Sequence, residues 1–287
     1  MNQWVVLSGK GGTGKTSLVA SFARLAGNAV LADADVDAAN LAIALGAKRI
    51  NDKDFYSGET AVIDSDTCTA CGACLEVCRY DAIEEHDPAF SIDGLACEGC
   101  NACVLVCPTQ AITLRENRAG QIMESETEFG MLVHAELGVA EDNSGKLVAE
   151  VIETAKKKAD DIDAEVLLVD GPPGIGCPVH ASVTGADRML AVAEPSSSGL
   201  HDLDRLLDLA DHFKVKVYVA INRYDTAPDV TDMIEKHCLE KGKEVIGRIP
   251  FDPDIPKGLC KGKVPFDAAQ DSTKKAIKDL WQAWKNR

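Results

Sequence analysis

Six short apolar runs alternate along the chain with segments whose apolar residues are spaced three and four positions apart. Each run predicts a strand buried on both faces, because such strands are almost continuously hydrophobic. The runs are Trp4–Leu7, Ala29–Ala32, Val166–Val169, Met189–Ala193, Val215–Ile221 and Glu244–Ile249. Strands that alternate with helices predict βαβ units, and therefore a doubly wound, mostly parallel α/β sheet.

The segments with helical spacing predict five helices, Thr16–Leu25, Leu147–Ala159, Leu200–Phe213, Val230–Lys241 and Thr273–Lys285. The last of them carries an apolar stripe of Ile277, Leu280, Trp281 and Trp284 with lysines between them. A basic amphipathic helix of this kind can lie on a membrane surface. Two tryptophans in a terminal stripe favour packing on the sheet instead, so we expect no membrane partner.

The alternation of strands and helices stops between residues 57 and 118. This segment holds 11 acidic and 3 basic residues, and it contains two similar halves, each with a run of four cysteines and a closing Ala-Ile pair. We interpret residues 57–118 as a small α+β domain inserted into a host domain made of residues 1–56 and 119–287. After the insertion, Gly120–Leu137 predicts a strand pair and Glu141–Lys146 a polar turn.

The charge and cysteine content narrow the functional classes. The 287 residues include 46 acidic and 30 basic side chains, a net charge of −16, so we expect no nucleic-acid partner. No apolar run approaches the roughly 18 residues of a membrane span, and the chain enters a strand at once, which predicts a cytoplasmic protein. Because cytoplasmic thiols are kept reduced, the 11 cysteines indicate metal binding and not disulfides.

A glycine-rich loop follows the first predicted strand and opens into the first helix: Gly9-Lys10-Gly11-Gly12-Thr13-Gly14-Lys15-Thr16. Its backbone N–H groups can surround phosphate oxygens, Lys15 can contact the β- and γ-phosphates, and the Thr16 hydroxyl can bind Mg²⁺. The sequence therefore predicts a site for ATP that includes Gly11, Gly12, Thr13, Gly14, Lys15, Thr16 and Ser17.

Polar loops follow four of the other predicted strands. They are Asp33–Asn40, Asp170–Gly174, Asn222–Asp225 and Pro250–Asp252. Ligands bind beyond the carboxyl ends of strands in open α/β sheets, although Asp, Asn, Pro and Gly are also ordinary turn residues. Asp170 follows a buried strand, as an Mg²⁺-binding aspartate of a P-loop protein does, and Gly174 can offer its N–H to a γ-phosphate.

Eight of the cysteines form two runs with the same spacing, Cys68-x2-Cys71-x2-Cys74-x3-Cys78 and Cys97-x2-Cys100-x2-Cys103-x3-Cys107. This is the spacing of bacterial ferredoxins with two [4Fe–4S] clusters, in which the fourth cysteine of each run binds the other cluster. One predicted ligand set is therefore Cys68, Cys71, Cys74 and Cys107, and the other is Cys78, Cys97, Cys100 and Cys103. Zinc is the competing metal. Cys177 follows the Asp170–Gly174 loop, where a subunit contact or a metal could meet the nucleotide site. We nevertheless expect Cys177, Cys238 and Cys260 to be ordinary buried thiols.

These motifs, in this order, resemble the MinD/ParA class of deviant-Walker P-loop ATPases. The whole chain is similar to members of that superfamily with an inserted two-cluster ferredoxin domain, a group related to iron–sulfur carrier ATPases and to nitrogenase iron protein. The resemblance implies that Lys10 reaches the nucleotide of a partner subunit, that Asp35 orients the attacking water, and that Asp33 supports the metal shell. Thr16, Asp35 and Asp170 are then the groups around Mg²⁺. Asn222, Arg223, Pro250 and Asp252 are the implied adenine-binding positions.

The resemblance implies an ATP-dependent homodimer that hydrolyses ATP to ADP and phosphate and works with a redox or metal-cofactor partner protein. Three uses of such a molecule remain open. It can couple nucleotide hydrolysis to electron transfer or redox sensing by two [4Fe–4S] clusters. It can be an ATP-dependent carrier or assembly factor for iron–sulfur or other metal cofactors. It can also be a positioning switch of the MinD type in which the clusters are structural.

Overall fold

The apolar runs form the centre of a sheet in the computed structural model of the protein, which describes residues 1–86, 89–138, 141 and 144–287. The strands are β1 (Asn2–Ser8), β2 (Ala29–Asp33), β3 (Lys48–Ile63), β4 (Ile83–Glu85), β5 (Phe90–Ile92), β6 (Ile112–Thr127), β7 (Gly130–Leu137), β8 (Val166–Pro173), β9 (Arg188–Ala193), β10 (Lys216–Asn222) and β11 (Glu244–Ile249). Within the described ranges, nine of them form one sheet in the order β11-β10-β9-β1-β8-β2-β7-β6-β3.

The helices are α1 (Lys15–Ala26), α2 (Leu41–Ala44), α3 (Ala73–Val77), α4 (Ala102–Val106), α5 (Ser144–Asp161), α6 (Cys177–Val183), α7 (Ser197–His212), α8 (Pro228–Glu240), α9 (Asp254–Leu259), α10 (Pro265–Ala268) and α11 (Asp271–Lys285), with a short 3₁₀ turn at Tyr224–Thr226. Each of the five predicted helices is present. No helix among the described residues is both long enough and apolar enough to cross a membrane.

The middle of the sheet is parallel, as the pattern of strands and helices predicts. Strand β1 pairs in parallel with β8 on one side and with β9 on the other, and β10 pairs in parallel with both β9 and β11. Residues Trp4 and Val6 pack into a core with α1 and α11, while Val5 and Leu7, which alternate with them, are also fully buried. Because alternate residues of a strand face opposite sides, the sheet is covered on both faces.

One strand was not predicted from the sequence, and one expectation about local structure was wrong. Strand β3 begins at residue 48, where the apolar pattern predicted no strand. Residues 48–53 are all exposed, so they lack the alternation of apolar and polar residues that would indicate a strand. The predicted polar turn Glu141–Lys146 is helical from Ser144 onward, and positions 142 and 143 of it lie outside the described residues. Gly120–Leu137 does form a strand pair, β6 and β7, although β6 begins earlier, at Ile112.

The chain divides into two compact units. The first consists of Met1–Lys53, Ile122–Glu136 and Ser144–Arg287, and the second of Asp54–Gln121 together with the described residues of 137–143. The insertion predicted at 57–118 lies within the second unit. The chain passes into that unit along β3 and leaves it along β6, so each of these long strands belongs partly to both units.

The second unit has an internal repeat in its backbone, offset by the 29 positions that separate Cys68 from Cys97. Three residues of the first half have positive φ (Ala70 52°, Gly72 79°, Asp81 52°), and so do their counterparts (Gly99 59°, Asn101 68°, Gln110 55°). The two halves exchange hydrogen bonds: Asp64 N donates to Ala111 O and Asp93 N donates to Ala82 O, both at 2.8 Å. The unit therefore has approximate two-fold symmetry.

The C-terminal helix α11 packs on the sheet through its tryptophans, which confirms the interpretation of its apolar stripe. Trp284 is fully buried, and its ring centroid lies 5.0 Å from that of Trp4. Trp281 stacks at 5.1 Å on Phe22 of α1. These aromatic contacts join the helix to both α1 and β1.

We expect Trp284→Ala to lower the free energy of unfolding by roughly 3–5 kcal/mol, because it leaves a large cavity in a close-packed core. Urea denaturation followed by circular dichroism measures this loss. Gln282→Ala, an exposed position on the same helix, is the matched control and should change stability by no more than about 0.5 kcal/mol. Equal stabilities of the two variants would contradict the packing role.

Candidate functional site

The glycine-rich loop connects β1 to α1, the context that its sequence predicts. Gly12 and Gly14 have positive φ values of 82° and 89°, a conformation that residues with a Cβ atom rarely adopt. A Cβ at position 14 would also lie 2.4 Å from Nδ2 of Asn222. The backbone conformation therefore requires glycine at position 14, and a Cβ there would also displace the end of the Asn222 side chain.

Two adjacent cavities of the first unit open at this loop. The larger, of about 1200 Å³ including its open mouth, is lined by Ser8, Gly11, Gly12, Thr13, Gly14, Lys15, Thr16, Ser17, Asp35, Asp37, Ala38, Asn40, Pro172, Pro173, Pro178 and Arg223. The smaller, of about 520 Å³, is lined by Gly14, Ser17, Asn222, Arg223, Pro250, Phe251, Asp252, Ile255, Pro256 and Leu259. Gly14, Ser17 and Arg223 line both. The four polar loops predicted from sequence therefore meet around the glycine-rich loop.

A buried ion pair lies beneath the larger cavity. Lys15 Nζ is 2.8 Å from Asp170 Oδ1, and the two side chains are 6% and 1% exposed. Burial alone would lower the pKa of Lys15, but the charge of Asp170 and the hydrogen bond to it outweigh burial and raise that pKa. Among the described residues, Asp170 Oδ2 and Thr13 Oγ1 are buried without a hydrogen-bond partner. A carboxylate oxygen left unpaired beside a loop of this kind suits a hard cation such as Mg²⁺.

Asp33 is a second buried carboxyl next to this pair. Its Oδ1 accepts from Asp35 N at 3.1 Å and its Oδ2 from Leu41 N at 2.9 Å, so it shapes the loop that follows β2. Burial and the negative charge of Asp170 raise the pKa of Asp33 from its ordinary value of 3.8 to about 8. Burial likewise raises the pKa of Asp35, and the positive charge of Lys15 opposes that change.

The raised pKa predicts that the nucleotide-free protein loses stability as pH rises. The native state keeps the Asp33 proton up to about pH 8, whereas the unfolded chain releases it near pH 3.8. This contribution to stability is therefore complete below about pH 4 and is lost as the pH rises through about 8. We expect thermal melting between pH 5 and 9 to show this decline, and Asp33→Asn to flatten it. Parallel profiles for the two proteins would contradict the assignment.

Lys10 lies outside both cavities and is held within its own chain. Its Nζ is 2.6 Å from Glu194 Oε1 and 3.0 Å from the Ser198 hydroxyl. Glu194 also contacts Arg223, whose Nη1 lies 3.5 Å from Oε2. Sequence analysis missed Glu194, although it stands directly after the apolar run of β9, the same position in which the other loop residues were found.

Three of the predicted contact groups already have partners in the chain. The Asn222 side-chain amide donates to the Thr13 carbonyl at 2.7 Å, and the Gly174 N–H donates to the Ser8 carbonyl at 3.0 Å. The Asp252 carboxylate accepts from the backbone N–H groups of Asp254 and Gln270, at 2.9 and 2.7 Å. Asp252 thus orders the loop before α9, and Asn222 holds the glycine-rich loop in place through its hydrogen bond to Thr13.

The second unit contains two cavities lined by thiols. One, of about 300 Å³, is lined by Cys68, Cys71, Cys74 and Cys107 together with Ile63, Thr69, Gly72, Ala73, Phe90, Thr109, Ala111 and Ile112. The other, of about 350 Å³, is lined by Cys78, Cys97, Cys100 and Cys103 together with Ala61, Tyr80, Ala82, Ile83, Ile92, Glu98, Gly99, Asn101 and Ala102. Each cavity therefore receives three thiols from one cysteine run and the fourth from the other run.

The thiols stand around these cavities and do not converge on a point. Among the described residues, no three Cys, His, Asp or Glu side chains come close enough together to hold a single metal ion. Backbone N–H groups point at some of the sulfurs: Ala111 N lies 3.3 Å from Cys107 Sγ, and Ala70 N lies 3.4 Å from Cys68 Sγ. Burial alone would raise the pKa of Cys107, but its hydrogen bonds with the Ala111 N–H and with Thr109 outweigh burial and lower that pKa.

The three remaining cysteines divide into two kinds. Cys238 is fully buried, and burial raises its pKa to about 11, so it is an unreactive core thiol, as expected. Cys177 and Cys260 are exposed, and the expectation that they are buried was wrong. Cys177 begins α6 and Cys260 directly follows α9. Both helices are too short for a helical spacing of apolar residues to be recognised in the sequence.

Comparisons with known proteins agree with the geometry of the first unit. Residues 4–266 match the CobQ/CobB/MinD/ParA nucleotide binding domain. The chain is 34% identical over 283 residues to the uncharacterized protein MJ0578 of Methanocaldococcus jannaschii, covering 98% of this chain and 95% of that protein. It is 25% identical over 264 residues to an uncharacterized ATP-binding protein, MJ0547, of the same organism, covering 90% and 77%.

Among solved structures, the cell division ATPase MinD of Pyrococcus furiosus superimposes with a TM-score of 0.59 at 20% identity, covering 100% of this chain and 99% of that one. The MinD of Pyrococcus horikoshii, solved with Mg-ADP, gives 0.58 at 17% identity, covering 98% and 94%. At these identities the likeness establishes the fold. Together with the family match over most of the chain, it shows that this protein belongs to the CobQ/CobB/MinD/ParA family of P-loop nucleotide-binding proteins.

Proposed function

We propose that the protein binds and hydrolyses ATP in its first unit, carries two [4Fe–4S] clusters in its second, and couples the nucleotide cycle to electron transfer or redox sensing. The observation that carries the proposal is the pair of four-thiol cavities, each completed by a cysteine of the other run. The crossed arrangement is what two-cluster ferredoxins require, and it occurs here in a chain of a nucleotide-binding family.

The first unit offers the groups that phosphoryl transfer needs. Transfer of a phosphoryl group depends mainly on positioning and on positive charge near the phosphates. Lys15 and the loop amides supply that charge, and Mg²⁺ would bind at Thr16 and at the unpaired oxygen of Asp170. Asp35 lines the same cavity and is the candidate for orienting water. The purine would lie in the smaller cavity, where Phe251 and Pro250 provide apolar contacts.

The donor set of the second unit fits iron–sulfur cubanes. A cubane binds its four thiolates through four different irons, so its donors stand around a cavity, whereas zinc holds its thiolates about 2.3 Å from one point. The N–H groups directed at Cys68 and Cys107 are of the kind that stabilise thiolates and tune cluster potentials. The clusters would supply one-electron chemistry.

A continuous stretch of backbone offers the route for coupling. The loop after β2, which contains Asp35, leads through α2 directly into β3. Farther along β3, Ala61 N donates to Cys97 Sγ at 3.5 Å. A change in the order of the Asp35 loop, of the kind that γ-phosphate produces in switch segments, would therefore act on a strand that ends beside a cluster ligand.

A dimer is part of the proposal. Lys10 is about one-third exposed and stands outside the cavities of its own chain, which suits a lysine that acts on the nucleotide of a second subunit. In the dimer Lys10 leaves Glu194 and contacts the nucleotide of the second subunit. Size-exclusion chromatography with ATP and with ADP measures this association.

Two other uses have an observation in their favour. Cys71 and Cys100 are exposed, which favours a carrier that passes clusters or metal cofactors to an apo-protein. The likeness in fold to cell division ATPases favours a positioning switch in which the clusters are structural. Electron transfer or redox sensing fits better, because eight thiols in two complete sets indicate durable clusters.

Anaerobic purification followed by iron analysis and ATPase assay tests the proposal. We expect about eight irons per chain, an absorption spectrum that bleaches with dithionite, and ATP turnover that differs between oxidised and reduced protein. Clusters that leave quantitatively for an apo-ferredoxin would favour the carrier. Turnover that ignores the redox state would favour the positioning switch, and protein without iron would end the proposal for the second unit.

A further inference from the structure

The two thiol cavities of the second unit correspond to one another residue by residue. We call the cavity of Cys68, Cys71, Cys74 and Cys107 the first site, and that of Cys78, Cys97, Cys100 and Cys103 the second site. Every residue that lines the first site has a counterpart 29 positions away that lines the second. In each site one thiol is exposed, one is buried and two are half-buried. Each site can therefore be compared directly with the other.

Several hydrogen-bond donors reach the sulfurs of the first site. Ala70 N donates to Cys68 Sγ at 3.4 Å. Ala111 N donates to Cys107 Sγ at 3.3 Å, and Thr109 Oγ1 lies 3.7 Å from the same sulfur. Because a sulfur that binds metal is a thiolate and has no proton, the Thr109 hydroxyl is the donor when the site is loaded.

The second site has fewer such donors. Ala61 N donates to Cys97 Sγ at 3.5 Å. Tyr80 stands where the first site has Thr109, and Ala82 where it has Ala111. Within the described part of the chain, neither of these two residues donates a hydrogen bond to Cys78, the counterpart of Cys107. The two sites therefore differ most at the cysteine that each receives from the other run.

Other features of the two sites are balanced. The buried thiols, Cys74 and Cys103, each interact with the N–H group of the residue that follows them. Phe90 adds an aromatic ring to the lining of the first site, and Tyr80 adds one to the second. Neither the burial of the thiols nor the aromatic content of the lining distinguishes the sites.

Charged side chains stand in the segments of both cysteine runs and oppose one another. Asp66 and Glu76 accompany the first run, and Arg79 and Glu98 accompany the thiols of the second site. Glu98 lines the second site and disfavours an added electron there, whereas Arg79 has the opposite effect. All four side chains are exposed, so water and salt screen them. The hydrogen bonds made directly to sulfur therefore decide the difference between the sites.

We propose that the first site holds the cluster of higher reduction potential, that Thr109 is a side chain that raises this potential, and that a single electron therefore rests in the first site. The inference rests on the proposed function, because it requires bound clusters. Reduction adds one negative charge that the sulfurs share, and N–H and O–H groups directed at the sulfurs stabilise that charge. The electron comes from a one-electron donor, which is oxidised as the site is reduced, and no atom is transferred.

A redox titration of the anaerobic protein with dithionite, followed by electron paramagnetic resonance, tests the proposal. Cys97→Ser leaves a complete ligand set only in the first site, and Cys68→Ser only in the second, so these variants supply the two reference spectra. We expect the wild-type protein to show the Cys97→Ser spectrum at the higher potential. Thr109→Val removes the hydroxyl but keeps the size of the side chain. It should disfavour reduction of the first site about ten-fold, a shift of about 59 mV for one electron.

Two variants control this measurement. Thr109→Ser keeps a hydroxyl and should keep the wild-type potential, and Tyr80→Phe, which removes the hydroxyl at the counterpart position, should leave the first site unchanged. Equal potentials in the wild-type protein, a second site that is reduced first, or a Thr109→Val protein that titrates as wild type does overturns the inference. Iron analysis before the titration identifies the separate case of a chain without iron, which refutes the proposed function itself and this inference with it.

Discussion

Replacing Lys15 by glutamine should lower ATP turnover by about two to three orders of magnitude, the loss typical when one charge-stabilising group is removed from a preorganised site. Lys15 lines the larger cavity, and its Nζ is buried and paired with Asp170. Glutamine keeps a hydrogen-bond donor for Asp170 but removes the positive charge that the β- and γ-phosphates need.

Glutamine also limits the damage to the fold. Alanine at position 15 would leave the buried Asp170 without a donor, and a buried charge without its partner destabilises a protein strongly. We therefore expect Lys15→Gln to fold, which circular dichroism checks, and to lose phosphate release and the binding of a fluorescent ATP analogue.

The control for this prediction is Lys236→Gln, because the side chain of Lys236 is 78% exposed and far from the loop in sequence. It should hydrolyse ATP as the wild type does. If Lys15→Gln keeps its turnover within about three-fold of wild type, the site is not a phosphate-binding loop of the P-loop kind.

Replacing Cys78 by serine should remove the cluster of the second run and spare that of the first. Cys78 belongs to the first run in sequence, but it lines the cavity of Cys97, Cys100 and Cys103. We expect iron to fall from about eight to about four per chain. Cys260→Ser, which changes an exposed thiol outside both cavities, should keep the full iron content.

Electron paramagnetic resonance distinguishes the crossed arrangement from an uncrossed one. With crossed ligands, Cys78→Ser and Cys97→Ser leave the same surviving cluster and give matching spectra when reduced. Cys107→Ser and Cys68→Ser then give the other spectrum. If Cys78→Ser matches Cys68→Ser instead, the fourth cysteine of each run binds the cluster of its own run, and the crossed arrangement is wrong.

The parts of the fold that follow from local pattern were predictable. Val5 and Leu7 are buried on one face of β1 and Trp4 and Val6 on the other, so β1 is a short, almost continuous apolar run, which is the pattern of a strand buried on both faces. The tryptophans of α11 likewise revealed the buried face of that helix. Strand β3 lacked such a signal, because its first six residues are exposed and are ordered by pairing with a neighbour that is distant in sequence.

The candidate site was predictable in its residues but not in their contacts. The loops that meet around Lys15 were predicted from the polar residues that follow the apolar strands. The carboxylate of Asp252, however, caps the backbone near α9 and α11, and Lys10 is held by Glu194. Asp252 and Gln270 are 18 positions apart, and Lys10 and Glu194 are 184 positions apart. Polar side chains carry no periodic signal of such distant partners, so only the folded chain shows these contacts.

The exchange of one thiol between the halves of the second unit has an evolutionary consequence. A polypeptide with a single run of this kind owns three of the four donors that its cavity needs, and it can obtain the fourth only from another molecule. A primordial half-length ancestor would thus have been an obligate pair, and gene duplication with fusion would have turned that pair into one chain. After such a fusion the two copies would be free to diverge, and they do differ at equivalent positions: Asp66 and Glu76 in one half correspond to Leu95 and Leu105 in the other.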